Sequence, residues 1–315
     1  MIVTLTANPS VDRTIEVDAL VRGAVLRASA NRVDPGGKGV NISRALVAHR
    51  LRTLAVLPSG GVEGHQLAGL LAADGIETAL VPITGSVRCN ISVAEPDGTV
   101  TKLNETGPTL APGELEAMAE TLVEAARGAD WVVLAGSLPP GAPADYYATL
   151  IKELSSLGVR IALDSSDAAF DRALVAGPDL IKPNRQELAE AAGSPVRTLG
   201  QAAAAAQRLR DRGARAVLAS LGADGAVLVD ESGAAYGETV AVSPPRSAVG
   251  AGDAMLAGFL AAGGAGTNAL AEALAWGAAA VSLPGSRMPA PADLDRGAVR
   301  IHPRPDADRP LNDRS

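Results

Sequence analysis

The chain has 315 residues, a formal net charge of -7 at neutral pH, 47% hydrophobic residues and 20% charged residues, a balance that excludes disordered and collagen-like chains. An acidic chain with 2% aromatic residues has neither the charge for a phosphate backbone nor the rings for stacking bases, so nucleic acid is excluded as a partner. One cysteine and three histidines (His49, His65, His302) preclude an internal disulfide and a Cys/His zinc site, and with no signal-like start and no apolar run near a membrane span, a cytoplasmic, membrane-free protein is expected.

In chain order, an apolar strand is expected at 2–7, stopped by the turn signal Asn8-Pro9-Ser10, with alternation resuming at 11–17. Asp12 falls just past the first strand, where an open α/β sheet gathers ligands. The competing reading is a carboxylate that only stabilises the turn. The segment Asp34-Pro35-Gly36-Gly37-Lys38-Gly39-Val40-Asn41 offers bare backbone at Gly36 and Gly37 and puts Lys38 and Asn41 on one face of a starting helix. It is no Walker loop, because Gly39 follows the lysine. A cation beside an amide suits an anionic polyol.

A strand at 53–57, a helix at 64–74 and a strand at 77–81 predict a parallel sheet with right-handed crossovers. Alternation at 87–93 and 99–103 around Pro96-Asp97-Gly98 predicts a hairpin, which with 11–17 would form a small sheet standing off the main body as a lid. On that lid Arg88, Asn90 and Lys102 are either pocket side chains or a solvated face, and Cys89 is a small strand residue.

The strand–helix rhythm then resumes. Strands at 131–135, 160–163, 180–181 and 216–219 end respectively in Gly136-Ser137-Leu138-Pro139-Pro140-Gly141, Asp164-Ser165-Ser166, Lys182-Pro183-Asn184-Arg185-Gln186-Glu187 and Ser220-Leu221-Gly222-Ala223-Asp224-Gly225. Polar or glycine-rich residues after successive strands mark the site of a doubly wound sheet. Asn184 and Glu187 share a helix face, either to reach hydrated Mg²⁺ or to close a capping box, and the local sequence leaves both open.

Gly250-Ala251-Gly252-Asp253 runs into an apolar segment reaching about residue 262. Read as a helix start, it presents amide donors and a partial positive charge to an anion; read blandly, Asp253 only caps the helix. The positive helix end is expected to keep Asp253 ionised. Beyond residue 287 Pro, Asp and Arg dominate, predicting at most a short helix within 291–300 and a flexible, solvated tail over 301–315.

Together, Asn8-Pro9-Ser10-Val11-Asp12, Gly36-Gly37-Lys38-Gly39-Val40-Asn41, Gly136-Ser137-Leu138-Pro139, Lys182-Pro183-Asn184 with Glu187, Ser220-Leu221-Gly222-Ala223-Asp224-Gly225 and Gly250-Ala251-Gly252-Asp253 fall in the order and spacing of one family. Over about residues 1–285 the chain resembles the ribokinase-like (PfkB) carbohydrate kinases, and most of all their phosphosugar branch, through Lys38, Arg88-Cys89-Asn90 and Lys102-Leu103-Asn104-Glu105-Thr106-Gly107-Pro108. The resemblance implies one α/β domain over 1–300, a doubly wound mostly parallel sheet flanked by helices, with a small β-sheet lid from about 11–33 and 87–103.

It also implies transfer of the ATP γ-phosphate to a sugar hydroxyl, with Mg²⁺. Asp253 matches the family's base, and Gly250, Ala251 and Gly252 match the amides that hold the moving phosphoryl group. Sugar contacts carry over to Asp12, Gly36, Gly37, Lys38, Asn41, Asn90 and Ser137, and contacts to the acceptor's own phosphate to Arg88, Lys38 and Arg27. Nucleotide contacts carry over to Lys182, Asn184, Gly252 and the loop Ser220, Leu221, Gly222, Ala223, Asp224, Gly225; the metal is met through water by Glu187 with Asn184. One departure is visible: Ala248 stands where many members have a threonine, which removes a hydroxyl near the nucleotide.

An acidic chain that assigns Lys38, Arg88 and Lys182 to one pocket favours a phosphorylated acceptor. The expected acceptor is D-fructose 1-phosphate, taken to fructose 1,6-bisphosphate at its 6-hydroxyl. Tagatose 6-phosphate, fructose 6-phosphate and a non-catalytic sensor on the same fold stand as alternatives. A homodimer through the lid sheet is also expected, since a small sheet has edges and an apolar face to cover.

Overall fold

Ile2-Val3-Thr4-Leu5-Thr6 contains no charged position, and the strand it forms, β1 (Ile2–Thr6), is buried from end to end, as a central parallel strand must be. The computed structural model describes residues 1–240 and 246–312. After β1 come β2 (Ser10–Glu16), β3 (Ala30–Gly36), α1 (Lys38–Ala48), β4 (Thr53–Ser59), α2 (Gly61–Ala73), β5 (Glu77–Pro82), β6 (Arg88–Ala94) and β7 (Val100–Asn104). The chain continues through α3 (Pro112–Ala126), β8 (Trp131–Ala135), α4 (Tyr146–Ser155), β9 (Arg160–Asp164), α5 (Asp167–Leu174), β10 (Leu180–Ile181), α6 (Arg185–Ala192), α7 (Leu199–Asp211) and β11 (Ala216–Ser220). It closes with β12 (Ala226–Asp230), β13 (Gly233–Thr239), α8 (Ala251–Ala261), α9 (Gly266–Ser282) and β14 (Val299–His302).

The large sheet is ordered β14-β13-β12-β11-β10-β9-β8-β1-β4-β5. It is parallel from β5 to β11 and antiparallel from β11 outward. From β1 the chain steps out through β4 and β5, then returns to lay β8 on the other side of β1 and steps away. Strand order therefore reverses between β1 and β8, and the crevice beyond their carboxyl ends is where such sheets bind ligands.

One face of this sheet carries α3, α4, α5 and α7, packed through Met118, Leu122, Ile151, Phe170 and Leu209 on Val3, Leu5 and Leu134. The other carries α1, α8 and α9, packed through Ile42, Leu46, Phe259 and Trp276 on Ile2, Val133 and Leu218. Each fully buried Leu, Ile or Phe stabilises the fold by roughly 1.5–3 kcal/mol. This packing fixes the strand ends that make the site.

The lid is a separate sheet, β3-β2-β6-β7, with β2 and β6 parallel. Its inner side rests on a small core of Val11, Val40, Leu57, Leu67, Leu71 and Val87. The hairpin expected from sequence is β6–β7. Strand β3 starts inside the lid range expected over about 11–33 and runs beyond it: Ala30-Asn31-Arg32-Val33-Asp34-Pro35-Gly36 shows no clean alternation, yet every residue is paired with β2. Likewise the hairpin of β12 and β13 has no counterpart among the expected elements.

The end of the chain departs from expectation. In place of a helix within 291–300, two short 3-10 turns, Pro291–Asp293 and Arg296–Ala298, lead into β14. Val299 and Ile301 there pack toward the α9 side, and β14 pairs with the open edge of β13. Nor is the segment after His302 a free tail: Pro310 pairs with Thr198, and Leu311 is only 6% exposed. Residues 313–315 of that expected tail lie outside the described residues. Among the described residues no helix is long and apolar enough to cross a membrane.

Candidate active site

The site is assembled from loops at the carboxyl ends of β1, β8, β9, β10 and β11, closed from one side by α8 and from another by the lid. Its centre is Asp253 in the first turn of α8, 8% exposed. Gly250 caps that helix at φ 76, a left-handed conformation that disfavours side chains, and a Cβ there would stand 2.6 Å from Met288 Cε. The first α-helical bond runs from Ala254 N–H to the Gly250 carbonyl at 2.8 Å, leaving the amides of Gly252 and Asp253 open as donors, the usual state of a first helical turn. The Ala251 amide turns back to the Ala248 carbonyl at 3.4 Å.

From α1, Asn41 Nδ2 donates to Asp253 Oδ2 at 2.8 Å. From the end of β9, Asp164 is wholly buried and gathers two lysines: Lys38 Nζ donates to its Oδ1 at 2.7 Å, and Lys182 Nζ lies 3.1 Å from its Oδ2. The Lys182 approach is off the hydrogen-bonding direction, so Oδ2 keeps no aligned donor. Lys182 Nζ also lies 3.3 Å from where a Cβ would stand on Gly252. Two cations and two carboxylates thus converge beside open amides, Lys182, Asp164 and Asp253 buried and Lys38 partly exposed.

Burial and neighbouring charge compete in how these groups titrate. Burial would raise the Asp164 carboxyl, but Lys182 and Lys38 outweigh it and hold that group below the usual carboxylate range. Burial would lower Lys38, yet Asp164 holds it above its usual value, with Glu187 and Asp253 adding to the effect. For Asp253 burial wins: with the charge of Asp164 second, it pushes the carboxyl up to about 6, against Asn41, Lys182 and Lys38. The expectation that the helix end fixes its ionisation is corrected here, since desolvation is the larger influence. At neutral pH the group is still mostly charged.

On the lid side, Asp12 Oδ1 accepts from Ser10 Oγ at 2.6 Å and from Asn90 Nδ2 at 3.0 Å. Gly36 faces the same carboxylate; a Cβ on it would come within 2.5 Å of Asp12, so only glycine allows this approach. Arg88 donates through Nη2 to the Asn8 carbonyl and through Nη1 to the Glu105 carbonyl, both at 3.0 Å. Asn8 Nδ2 in turn donates to the Thr106 carbonyl at 3.0 Å. The Asn104-Glu105-Thr106-Gly107-Pro108 stretch therefore builds the wall that holds Arg88 and Asn8. A cavity of about 520 Å³ opens there, lined by Asn8, Arg88, Thr106 and Ser137 among others. Asn8 Oδ1, Asn41 Oδ1, Asn90 Oδ1 and Arg88 Nε are buried without a hydrogen-bond partner.

On the opposite side, Asn184 Oδ1 accepts from Glu187 N–H at 2.9 Å and Glu187 Oε2 accepts from Asn184 N–H at 2.8 Å, so the capping box is formed. Glu187 still acts electrostatically on Lys38 and faces a second cavity of about 370 Å³ with Ser165, Phe170 and Glu190. The Ser220–Gly225 loop joins this side: Ser220 bridges Asn184, Ser220 N–H donates to the Pro183 carbonyl at 3.0 Å, and Gly222–Asp224 form a 3-10 turn.

The matching family is the pfkB family carbohydrate kinases, over residues 5–293. The chain belongs to that family. Among relatives of this pfkB kinase, the 1-phosphofructokinase of Rhodobacter capsulatus is 40% identical over 93% of this chain and 94% of its own. The ATP-dependent 6-phosphofructokinase isozyme 2 of Mycobacterium tuberculosis is 36% identical over 81% and 76%. The crystal structure of phosphofructokinase-2 from Escherichia coli in complex with substrates and products superposes with a TM-score of 0.87, at 32% identity, over 93% of this chain and 96% of that one.

In this pfkB kinase the structure brings Asp12, Gly36, Asn90 and, through Asn8, Arg88 together on one side, and Lys38, Asn41, Lys182, Gly250, Gly252 and Asp253 at the centre. Ser137 lines the Arg88 cavity. It does not bring in Arg27, which is exposed on the connection between β2 and β3, and Lys102 is exposed on β7. Asp164 is the residue that sequence reasoning left without a role. Its signal was present: an apolar strand that stops on an acid, at the carboxyl end of a central strand of a doubly wound sheet.

Proposed function

We propose that the chain transfers the γ-phosphate of ATP to the 6-hydroxyl of D-fructose 1-phosphate, giving fructose 1,6-bisphosphate. The observation that carries this is Asp253: a buried carboxylate next to open amides and two lysines, oriented by Asn41, in a pocket whose far wall holds an arginine. The 1-phosphofructokinase relative supports the choice of acceptor.

Phosphoryl transfer through a loose transition state asks mainly for alignment and charge neutralisation. Asp12, Asn41 and Asn90 would bind the sugar hydroxyls, while Arg88, on the wall of the cavity of about 520 Å³, takes the phosphate the sugar already carries. Asp253 accepts the proton of the attacking hydroxyl as its oxygen bonds to the γ-phosphorus and the bond from that phosphorus to the bridging oxygen breaks, the oxygen leaving with ADP. The amides of Gly252 and Asp253 and the ammonium of Lys182 meet the charge on the transferring group. Asp164 holds both lysines at the site and keeps its own charge doing so.

The residues present fit Mg²⁺ carried in on the nucleotide rather than held by protein alone. Among the described residues no cluster of three or more metal-ligating side chains occurs, and the Glu187 carboxylate, with Oε2 on the cap, can offer its other oxygen through water. Bound there, the ion would neutralise phosphate charge. Loop 220–225 and Lys182 form the nucleotide side.

The 6-phosphofructokinase relative favours fructose 6-phosphate as the second reading. A coupled assay of ADP release separates them: fructose 1-phosphate is expected to give the highest kcat/KM among fructose 1-phosphate, fructose 6-phosphate and tagatose 6-phosphate, and turnover of either of the others alone refutes the assignment. A cytoplasmic setting belongs to the same reading, as a chain with the single cysteine Cys89 gains nothing from an oxidising compartment. So does dimerisation through the lid, where Val100 and Leu103 stand 49% and 60% exposed. Sedimentation equilibrium of the wild type against Leu103→Glu tests it, a dimer that persists in the variant counting against this face.

A further inference from the structure

The C-terminal segment crosses the start of α7 and ends on the nucleotide side of the pocket. Gly200 N–H donates to the Ala307 carbonyl and Leu199 N–H to the Arg309 carbonyl, both at 3.0 Å, and Leu311 N–H donates to the Arg197 carbonyl at 2.8 Å. Leu311 joins the core beneath α7. The next residue, Asn312, arrives at Asp224, 88 positions away in sequence. Its backbone N–H donates to Asp224 Oδ2 at 2.9 Å and its side-chain Nδ2 to Asp224 Oδ1 at 2.6 Å. Its carbonyl accepts from Arg185 Nη1.

Both partners matter. Asp224 closes the 3-10 turn of the 220–225 loop and is 7% exposed, so its carboxylate depends on these two donors. Arg185 is the first residue of α6, directly after Asn184. One residue near the end of the chain thus ties together the two elements of the nucleotide side. A second route converges on the same point: Arg309 Nη2 meets Glu238 Oε2 at 2.6 Å and its guanidinium lies 5.0 Å over the Tyr236 ring, while Tyr236 OH donates to the Asp224 carbonyl at 2.8 Å.

We propose that residues 307–312 act as a strap that sets ATP affinity, with Asn312 a positioning residue working through Asp224. Among the described residues the strap bonds to none assigned to the sugar or to its phosphate, so its effect falls on the nucleotide alone. With the strap in place the Asp224 charge is spent on Asn312; released, it would face the polyphosphate and repel it. The inference rests on the assignment of loop 220–225 to ATP.

The test compares wild type, Asn312→Asp and Asn312→Ser, measuring the Kd for ATP and for fructose 1-phosphate by calorimetry and kcat at saturating ATP. Setting a carboxylate against Asp224 is expected to weaken ATP roughly tenfold, with the sugar phosphate Kd and kcat within about twofold. Asn312→Ser loses the Nδ2 donor but keeps the backbone N–H to Asp224 Oδ2, and is expected to weaken ATP by a smaller factor, about threefold. An unchanged ATP Kd in folded Asn312→Asp, or equal weakening of both ligands, overturns the strap. Should Asn312→Asp not fold, Asn312→Ser, which keeps the backbone donor, takes its place, and an unaltered ATP Kd there counts equally against it. Wild-type protein that binds ATP but leaves fructose 1-phosphate unphosphorylated refutes the acceptor and leaves the ATP comparison intact; protein that binds no ATP refutes both.

Discussion

Strand β8 is buried at all five positions, and lid strand β6 is half-buried at all seven. Both strands end at the same pocket, yet they contribute differently. The main sheet carries Asp164 and Lys182 out of water, where mutual charge and desolvation decide protonation. The lid carries Asp12, Arg88 and Asn90 in contact with solvent, where charge is screened and hydrogen-bond geometry decides what binds. On the proposed function, buried strand ends tune chemistry and half-buried lid strands select the acceptor. Substitutions on the two sides should therefore separate into kcat and KM effects.

The largest effect is expected at the buried side. Asp253→Asn keeps the acceptor oxygen for Asn41 but cannot take a proton, so kcat should fall roughly 10²–10⁴-fold with ATP affinity retained. The same change should stabilise the fold. Because the folded carboxyl titrates at about 6 rather than 3.8, its ionisation costs stability at neutral pH, on the order of 3 kcal/mol. Thermal unfolding at pH 8 should show a higher Tm for Asp253→Asn than for wild type. A kcat within tenfold of wild type, or a lower Tm, would break the contrast at its stronger half.

Arg88→Ala probes the other half. Losing a charge-assisted contact to the sugar's phosphate, worth roughly 1.5–3 kcal/mol, should raise the KM for fructose 1-phosphate about 10- to 100-fold. Steady-state kinetics should find kcat and the KM for ATP within a few-fold of wild type. A kcat loss as large as that of Asp253→Asn would mean that the lid does chemistry, and the division of labour would fail.

How much of this was legible follows the same divide. Strands that repeat an apolar run and stop on a polar residue, such as Trp131–Ala135 and Leu180–Ile181, lie where the sequence puts them. Burial on both faces leaves one periodicity that fits. The bounds of strand β3 were not legible because Ala30, Asn31 and Arg32, exposed on a lid edge, carry no alternation. The docking of Leu311 was hidden too: one leucine among Pro, Asp and Arg carries no period, and its partner surface on α7 is over a hundred residues earlier. At the site, the residues of Gly250-Ala251-Gly252-Asp253 were readable because a helix start advertises its chemistry locally. Asp164 was not, because its role comes from two lysines that the fold alone brings to it. Asn184 and Glu187 show the limit from the other side, since the capping box they form is the bland local reading and the metal reading needs the nucleotide.

The smallest effect sharpens the comparison through pH. A base titrating at about 6 predicts that kcat/KM for the sugar phosphate, measured with buffers of constant ionic strength, is halved near pH 6 and falls about tenfold by pH 5. Stability linked to this group runs the other way: its folded pKa is raised, so the contribution is fully present below 3.8 and is lost as pH rises through about 6. Asp164→Asn then tests the cause. Asp164 is the second influence raising Asp253, after burial, so removing its charge should move the acid limb to lower pH while burial keeps it above the ordinary carboxylate range. The variant also leaves Lys38 and Lys182 without their shared counter-charge, and breaking such a buried pair should lower unfolding stability by roughly 3 kcal/mol or more. Arg88→Ala, on the lid, should leave the acid limb in place. An acid limb that shifts with Arg88→Ala but not with Asp164→Asn would assign the titration to the lid and overturn the view that desolvated strand ends set the chemistry.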